Sequence, residues 1–150
     1  MFVKIYNRQK GRKLIVLTDT SFLIATVDKS DKNHHRAADY LNKNSSLTYV
    51  IAFTTVQEVC NLINLNISRE VEILFLNEVI KNFNIELIEN ADIERAADIL
   101  DRYINLEIGF ADAVFTAIAE RLKTNNILTF DKGNFSRMVP AGFKKFNILI

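Results

Sequence analysis

At 150 residues, 49% hydrophobic and 25% charged, with one proline and four glycines, the chain suits one domain (1–150) around one core and carries no linker to divide it. Its formal net charge of +1 excludes a strong global pull toward nucleic acid. Its single cysteine, Cys60, excludes an internal disulfide and fits a reducing compartment.

Basic residues nonetheless crowd one end. Lys4, Arg8, Lys10, Arg12 and Lys13 precede the first apolar run, and Arg137, Lys144 and Lys145 lie near the other terminus. With the termini close in space these would form a basic rim for a polyanion; otherwise they are a solvated surface. The run LIVL that follows is shorter than the roughly 7–15 apolar residues of a secretory segment. No stretch approaches the ~20 apolar residues of a membrane span, so a cytoplasmic protein without membrane contact is expected.

In chain order, residues 14–18 (LIVLT) read as a short parallel strand buried on both faces, ending at Asp19. Residues 20–27 begin a short helix or turn, which the polar stretch 28–31 breaks. Ala37, Ala38 and Leu41 recur at helical spacing within 33–44. LTYVIAF at 47–53, rich in β-branched and aromatic residues, reads as a second strand. Thr54 and Thr55 then open a helix that buries Val56, Val59, Cys60, Leu62 and Ile63, so Cys60 is expected as a buried thiol.

Ser68 suits the N-cap of a helix to about residue 82, whose Val71, Leu74, Phe75, Val79 and Ile80 recur at three and four. Residues 84–88 form a short strand. Residues 91–105 are helical, with Ile93, Ala96, Ala97, Leu100 and Tyr103 or Ile104 as the apolar stripe. A helix at 109–123 and strands at 126–130 and 146–150 complete the chain. Strands alternating with helices predict an α/β fold, a three-layer α/β/α sandwich with a central parallel sheet. Sites in such sheets form outside the carboxyl ends of the strands.

Four acids fall at such ends: Asp19, Glu58, Asp112 and Asp131. Asp19 reads as a helix N-cap or as a metal ligand at a strand end. Glu58 closes a capping box with Thr55, or is released for another role if Thr54 and Gln57 close one instead. Asp112 lies among Phe110, Ala111, Ala113, Val114 and Phe115, where an acid is costly unless paired or metal-bound. Asp131 begins either a turn or a ligand set. Carboxylates clustered without matching His or Cys suit hard cations such as Mg²⁺ or Mn²⁺, most often in phosphate chemistry. The remaining acids look solvated: Asp92, Glu94, Asp98 and Asp101 on one helix, Glu70, Glu72 and Glu78 on another. His34 and His35 read as surface or helix-end residues. Glycine-rich phosphate loops, nucleophile elbows and zinc spacings are absent.

The order of these segments resembles the PIN domain, and within it the single-domain VapC-like toxins of toxin–antitoxin pairs. The residues that carry the resemblance are Asp-Thr-Ser-Phe-Leu from Asp19, Glu58 in the helix after the second strand, Phe-Ala-Asp-Ala around Asp112 and Leu-Thr-Phe-Asp ending at Asp131. NHHRAADYL resembles the family's second helix, and ADIERAADILDRYINLEIGFADA its run into the third acid. The likeness extends from about Leu14 to the end. Phe135, four residues after Asp131, and Asn134, where some members place another acid, depart from the pattern.

The resemblance implies a PIN-like sandwich and a divalent-metal-dependent endoribonuclease acting on RNA with Mg²⁺ or Mn²⁺. It places the acidic quartet at Asp19, Glu58, Asp112 and Asp131. Asp19 and Asp112 are expected as direct ligands, and Glu58 and Asp131 as ligands of a second ion or as orienters of water. Thr20 or Ser21 is expected to hydrogen-bond a carboxylate or phosphate. A cognate antitoxin protein and a homodimer follow from the same resemblance. The alternative is a non-toxin or non-catalytic PIN-like RNA-binding domain. A receiver or phosphatase-like domain fits poorly, because Ser21 stands where a haloacid-dehalogenase pattern needs a second Asp.

Overall fold

The computed structural model describes residues 14–150, so the basic lead before Leu14 lies outside the described residues. Five strands form one sheet in the order β3-β2-β1-β4-β5. They are β1 (Ile15–Thr18), β2 (Thr48–Ala52), β3 (Asn84–Glu86), β4 (Asn126–Leu128) and β5 (Asn147–Ile148). Every pairing is parallel, with Val16 beside Tyr49 and Leu17 beside Ile127.

The side-chain period of two divides the core between the faces. Val16, Tyr49, Ile51 and Leu128 point into one cluster with Phe22, Leu41, Val59, Ile63, Phe75 and Val79. Leu17, Val50, Ala52 and Ile127 point into the other with Ala96, Ile99, Val114, Ile118 and Phe135. The first face is covered by α1 (Thr20–Val27), α2 (His34–Lys43), α3 (Phe53–Asn66) and α4 (Arg69–Asn82). The second is covered by α5 (Asn90–Arg102), α6 (Phe110–Arg121) and the short α7 (Lys132–Phe135). The expected α/β/α sandwich is therefore present, with α7 added where the sequence suggested only a turn. No helix among the described residues is long and apolar enough to cross a membrane.

Ser68 caps α4 as expected, accepting from the Val71 N–H at 3.3 Å. The run of small residues in α6 has its predicted effect: Ala113, Ala117 and Ala119 are buried, so the helix lies close on the sheet. Other expectations fail at the helix surfaces. Leu74 and Ile80, placed on the buried stripe of α4, are 57% and 73% exposed. In α5, Ile93 and Ala97 are exposed, and Tyr103 rather than Ile104 packs on the core. Leu62 is also exposed, and Cys60 is only partly buried.

Asp92 is a plain correction. It is buried, not solvated, because Arg121 reaches across from α6 to both its oxygens at 3.0 Å. The same guanidinium bonds Glu86 and the Leu87 carbonyl, while Arg95 of α5 forks onto Glu120 of α6. Glu72 and Glu78 are likewise half-buried rather than solvated, beside Arg69 and Lys81.

The chain builds β1, β2 and β3 outward in one direction, then returns to add β4 and β5 on the other side of β1. The order therefore reverses between β1 and β4. A crevice opens at such a switch point, outside the carboxyl ends of the strands.

Candidate active site

Asp19 follows β1 directly at this switch point. Its backbone is extended (φ −90°, ψ 160°), its N–H is tied to the Leu128 carbonyl at 2.9 Å, and it caps α1. The N-cap reading of Asp19 thus holds, and the residue also stands at a strand end in the crevice, where the metal-ligand reading would place it. Its Oδ2 accepts from the Ser21 N–H at 3.3 Å, the Ser21 hydroxyl at 2.8 Å and the Thr129 hydroxyl at 2.8 Å.

The two hydroxyls are themselves fixed by the backbone beyond β4. Ser21 Oγ accepts from the N–H groups of Phe130 and Asp131, and Thr129 Oγ1 from that of Asp131. Each hydroxyl thus accepts from the backbone and lies 2.8 Å from Asp19 Oδ2 as a donor, Thr129 Oγ1 also lying 3.3 Å from the Asp131 carbonyl. Burial raises the Asp19 carboxyl above the usual range, and these hydrogen bonds oppose the rise without overcoming it.

Glu58 stands on α3, which begins at Phe53 with Ala52 as its N-cap. Thr54 and Thr55 are thus already inside the helix, and neither capping box forms. Glu58 is released, and its Oε2 accepts from the buried Thr20 hydroxyl at 2.6 Å. Asp112 lies in the first turn of α6 and reaches back to the Gly109 N–H at 3.1 Å. Its carboxyl is raised, by burial first and then by the negative charges of Asp19, Asp131 and Glu58. Asp131 caps α7 and accepts from the Gly133 N–H at 3.2 Å, so the turn reading of this residue is locally correct too.

All four acids, with Thr20 and Ser21, line one open cleft of about 580 Å³. Sequence reasoning missed four further residues. Asp31 and Asn33, from the connection between α1 and α2, line the same cleft, as does Phe130. Thr129 holds Asp19 from below. Thr129 had a signal, since it lies two residues before Asp131 at a strand end. Asp31 had none, because only tertiary packing brings that connection to the crevice.

The lining contains five carboxylates (Asp19, Asp31, Glu58, Asp112 and Asp131) and no basic side chain among the described residues. An all-oxygen donor set of this kind fits a hard divalent cation and not zinc or copper. As the side chains stand, no three acids among the described residues converge closely enough to enclose an ion. Each is turned to a local N–H or hydroxyl instead. Asp112 and Asp131 each accept their local N–H through one carboxylate oxygen and keep the other available.

The PIN domain sequence profile matches residues 16–139. Ribonuclease VapC26 of Mycobacterium tuberculosis (strain ATCC 25618 / H37Rv) is 28% identical over 135 residues, covering 89% of this chain and 99% of that protein. Among solved structures, M. tuberculosis VapC20, described as a sarcin-ricin loop cleaving toxin, superposes with a TM-score of 0.74 at 24% identity. It covers 85% of this chain and 95% of its own. VapBC2 from Rickettsia felis, solved with a fragment of promoter DNA, gives 0.65 at 16% identity over 83% and 93% of the two chains. At these identities the structures speak for the fold, whose parallel sheet and flanking helices they share. With the profile spanning the sheet from β1 through α7, this chain belongs to the PIN domain family.

Proposed function

We propose that this protein is a divalent-metal-dependent endoribonuclease and the toxin component of a VapBC-type toxin–antitoxin pair. One observation carries the chemistry: a cleft at the switch point lined by five carboxylates with no basic side chain among the described residues. Membership of the PIN family and the ribonuclease relative support the reaction class. The toxin role rests on neighbours that are themselves toxin–antitoxin complexes, from Rickettsia felis and Klebsiella pneumoniae among others.

In this reading Asp19 and Asp112 hold Mg²⁺ or Mn²⁺, and Glu58 and Asp131 hold a second ion or orient water. When bound, the ion lowers the pKa of a water and neutralises charge on the scissile phosphate. The chain's own groups do the rest. The Ser21 and Thr129 hydroxyls fix Asp19 and favour its ionised form against the opposing effect of burial, and the Thr20 hydroxyl fixes Glu58. Asp112, held protonated to higher pH than a free carboxyl, must release its proton before it can serve as a ligand.

A cognate antitoxin would cover the cleft in the cytoplasm, where Cys60 stays a thiol. Exposed apolar side chains on α3 and α4, among them Leu65, Ile73, Leu74 and Ile80, support a homodimer or antitoxin contact. The second reading, a PIN-like RNA-binding domain without catalysis, draws support from the local engagement of each carboxylate.

Cleavage of structured RNA in Mn²⁺, compared with the Asp19→Asn protein, separates the two. The nuclease reading expects cleavage lost on adding a chelator and lost in Asp19→Asn, with the melting temperature retained. Equal cleavage by both proteins would sink the assignment of Asp19. Absence of cleavage together with RNA binding would favour the second reading.

A further inference from the structure

The acidic cleft poses a problem for its own substrate. RNA brings one negative charge per nucleotide, and the cleft meets it with five carboxylates. Something at the cleft's edge must hold the strand against that repulsion. Among the described residues, four of the six arginines are committed elsewhere. Arg95 is bound to Glu120 and Asp98, Arg121 to Asp92 and Glu86, Arg69 to Glu72, and Arg137 to the Gly133 carbonyl and Asn134.

Arg36 is different. Its guanidinium lies over the ring of Phe130, 5.3 Å from the centroid. Phe130 lines the cleft between Thr129 and Asp131, and its ring is stacked on the buried Phe22. Among the described residues no carboxylate lies within ion-pair distance of Arg36; its hydrogen-bond partner is Asn33 Oδ1, at a long 3.4 Å. An aromatic face restrains a guanidinium without using its N–H donors. Apart from that one long contact, the fork that matches phosphate geometry is open beside Phe130 at the margin of the cleft.

Arg36 also lines a second groove, of about 270 Å³. It is lined by Arg36, Asp39, Tyr40, Lys43, Asn44 and Ile150. Arg36, Tyr40 and Lys43 stand at i, i+4 and i+7, so they share one face of α2. The two cations are about 10 Å apart along the helix axis, at 1.5 Å rise per residue. Tyr40 is half-buried with its ring edge on Phe22, which ties this face to the Phe22–Phe130 stack. Asp39 is the one acid among these residues, against two cations.

We propose that the face of α2 carrying Arg36 and Lys43 is the track that holds the RNA strand beside the cleft, with Arg36 positioning a phosphate next to the one that is cut. This rests on the ribonuclease reading for its substrate. Arg36 is a positioning residue: it acts on affinity and register, and its charge is too far from the acids to replace a metal ion.

The test uses a fluorescein-labelled single-stranded oligoribonucleotide with the full chain. Binding is read by anisotropy in the Asp19→Asn background, and turnover in the active protein with Mn²⁺. Arg36→Ala is expected to raise Kd and KM by about tenfold, the loss of one charge-assisted contact, with kcat near its original value. The dependence of log Kd on log salt should flatten by about 0.7, the share of one phosphate on a single strand. Arg36→Lys should keep the salt slope and recover only part of the affinity, because the planar fork is gone. Lys43→Ala should act on the oligonucleotide and not on a dinucleotide.

Lys81→Ala, in the last turn of α4 and lining neither groove, is the control for bulk charge. Unchanged KM and salt slope in Arg36→Ala would overturn the track, as would an equal loss in Lys81→Ala. Arg36-dependent binding without cleavage in any metal would sink the nuclease reading and leave the track standing.

Discussion

Two hydroxyls decide how much of its charge Asp19 keeps. Ser21 and Thr129 each take a backbone N–H from the segment after β4 and each give a proton to the same carboxylate oxygen. Ser21→Ala removes one donor from a buried carboxylate and leaves the Phe130 N–H without its partner. The expected cost is about 1–3 kcal/mol of stability, read by urea denaturation. The sign on pH follows. With one fewer hydrogen bond to the charged form, the Asp19 carboxyl rises further, so the acid limb of kcat/KM should move to higher pH. A limb that stays in place would show that Thr129 alone sets Asp19. Asp19 and Asp131 were legible because strand-end acids follow from the sheet argument. Thr129 offered only its place two residues before Asp131, because a hydroxyl has no charge to be missed and its role exists only once β1 and β4 are neighbours. Glu58 was half legible: its capping role needed Thr55 as the N-cap, and the helix is capped three residues earlier, at Ala52.

Among the elements, the sheet strands were the easiest to read and the helix faces the hardest. Buried strands declare themselves by continuous apolar runs, as IVLT and TYVIA do. A helix face depends on what lies opposite. Nothing in α5 says that Arg121 of α6 will reach Asp92, so an acid that fits a solvated stripe is buried instead. That pair locks α5 to α6, whose first turn carries Asp112. Arg121→Ala strands a buried charge and should cost about 3–5 kcal/mol in denaturation. Pairing it with Asp92→Leu should return part of that loss, because the charge and its partner leave together. If the double variant is no more stable than Arg121→Ala, then Glu86 and the Leu87 carbonyl are the contacts that matter. The far end of α6 offers a gain instead. Thr124 and Lys123 donate to the Ala119 and Glu120 carbonyls, a Schellman close, and Lys123 takes the left-handed position at φ 52°. Glycine adopts that conformation freely, so Lys123→Gly should raise stability by about 0.5–1 kcal/mol, read as a higher melting temperature.

For the whole molecule, the cleft couples stability to pH and to metal. Burial makes Asp19 and Asp112 hold their protons to higher pH in the fold than in the unfolded chain, and the neighbouring acids add to this at Asp112. Between the ordinary aspartate value of about 3.9 and the raised one, the folded chain therefore binds more protons than the unfolded chain. Stability from these groups is complete below the ordinary value and is lost as pH rises toward the raised one. The metal-free protein should accordingly melt at a lower temperature as the pH is raised above the ordinary aspartate value of about 3.9. A cation acts in the opposite sense. It binds the ionised carboxylates, competes with their protons and stabilises only the fold, so its effect grows with pH. Melting curves in chelator and in saturating Mn²⁺ should thus diverge with rising pH. Asp112→Asn removes the group on which burial and repulsion act together. It should flatten the fall seen in chelator and shrink the gain from Mn²⁺. Parallel curves with and without Mn²⁺ across this range would mean that repulsion in the cleft is relieved by protons and local N–H donors alone, and the metal-dependent reading of the carboxylates would fail with it.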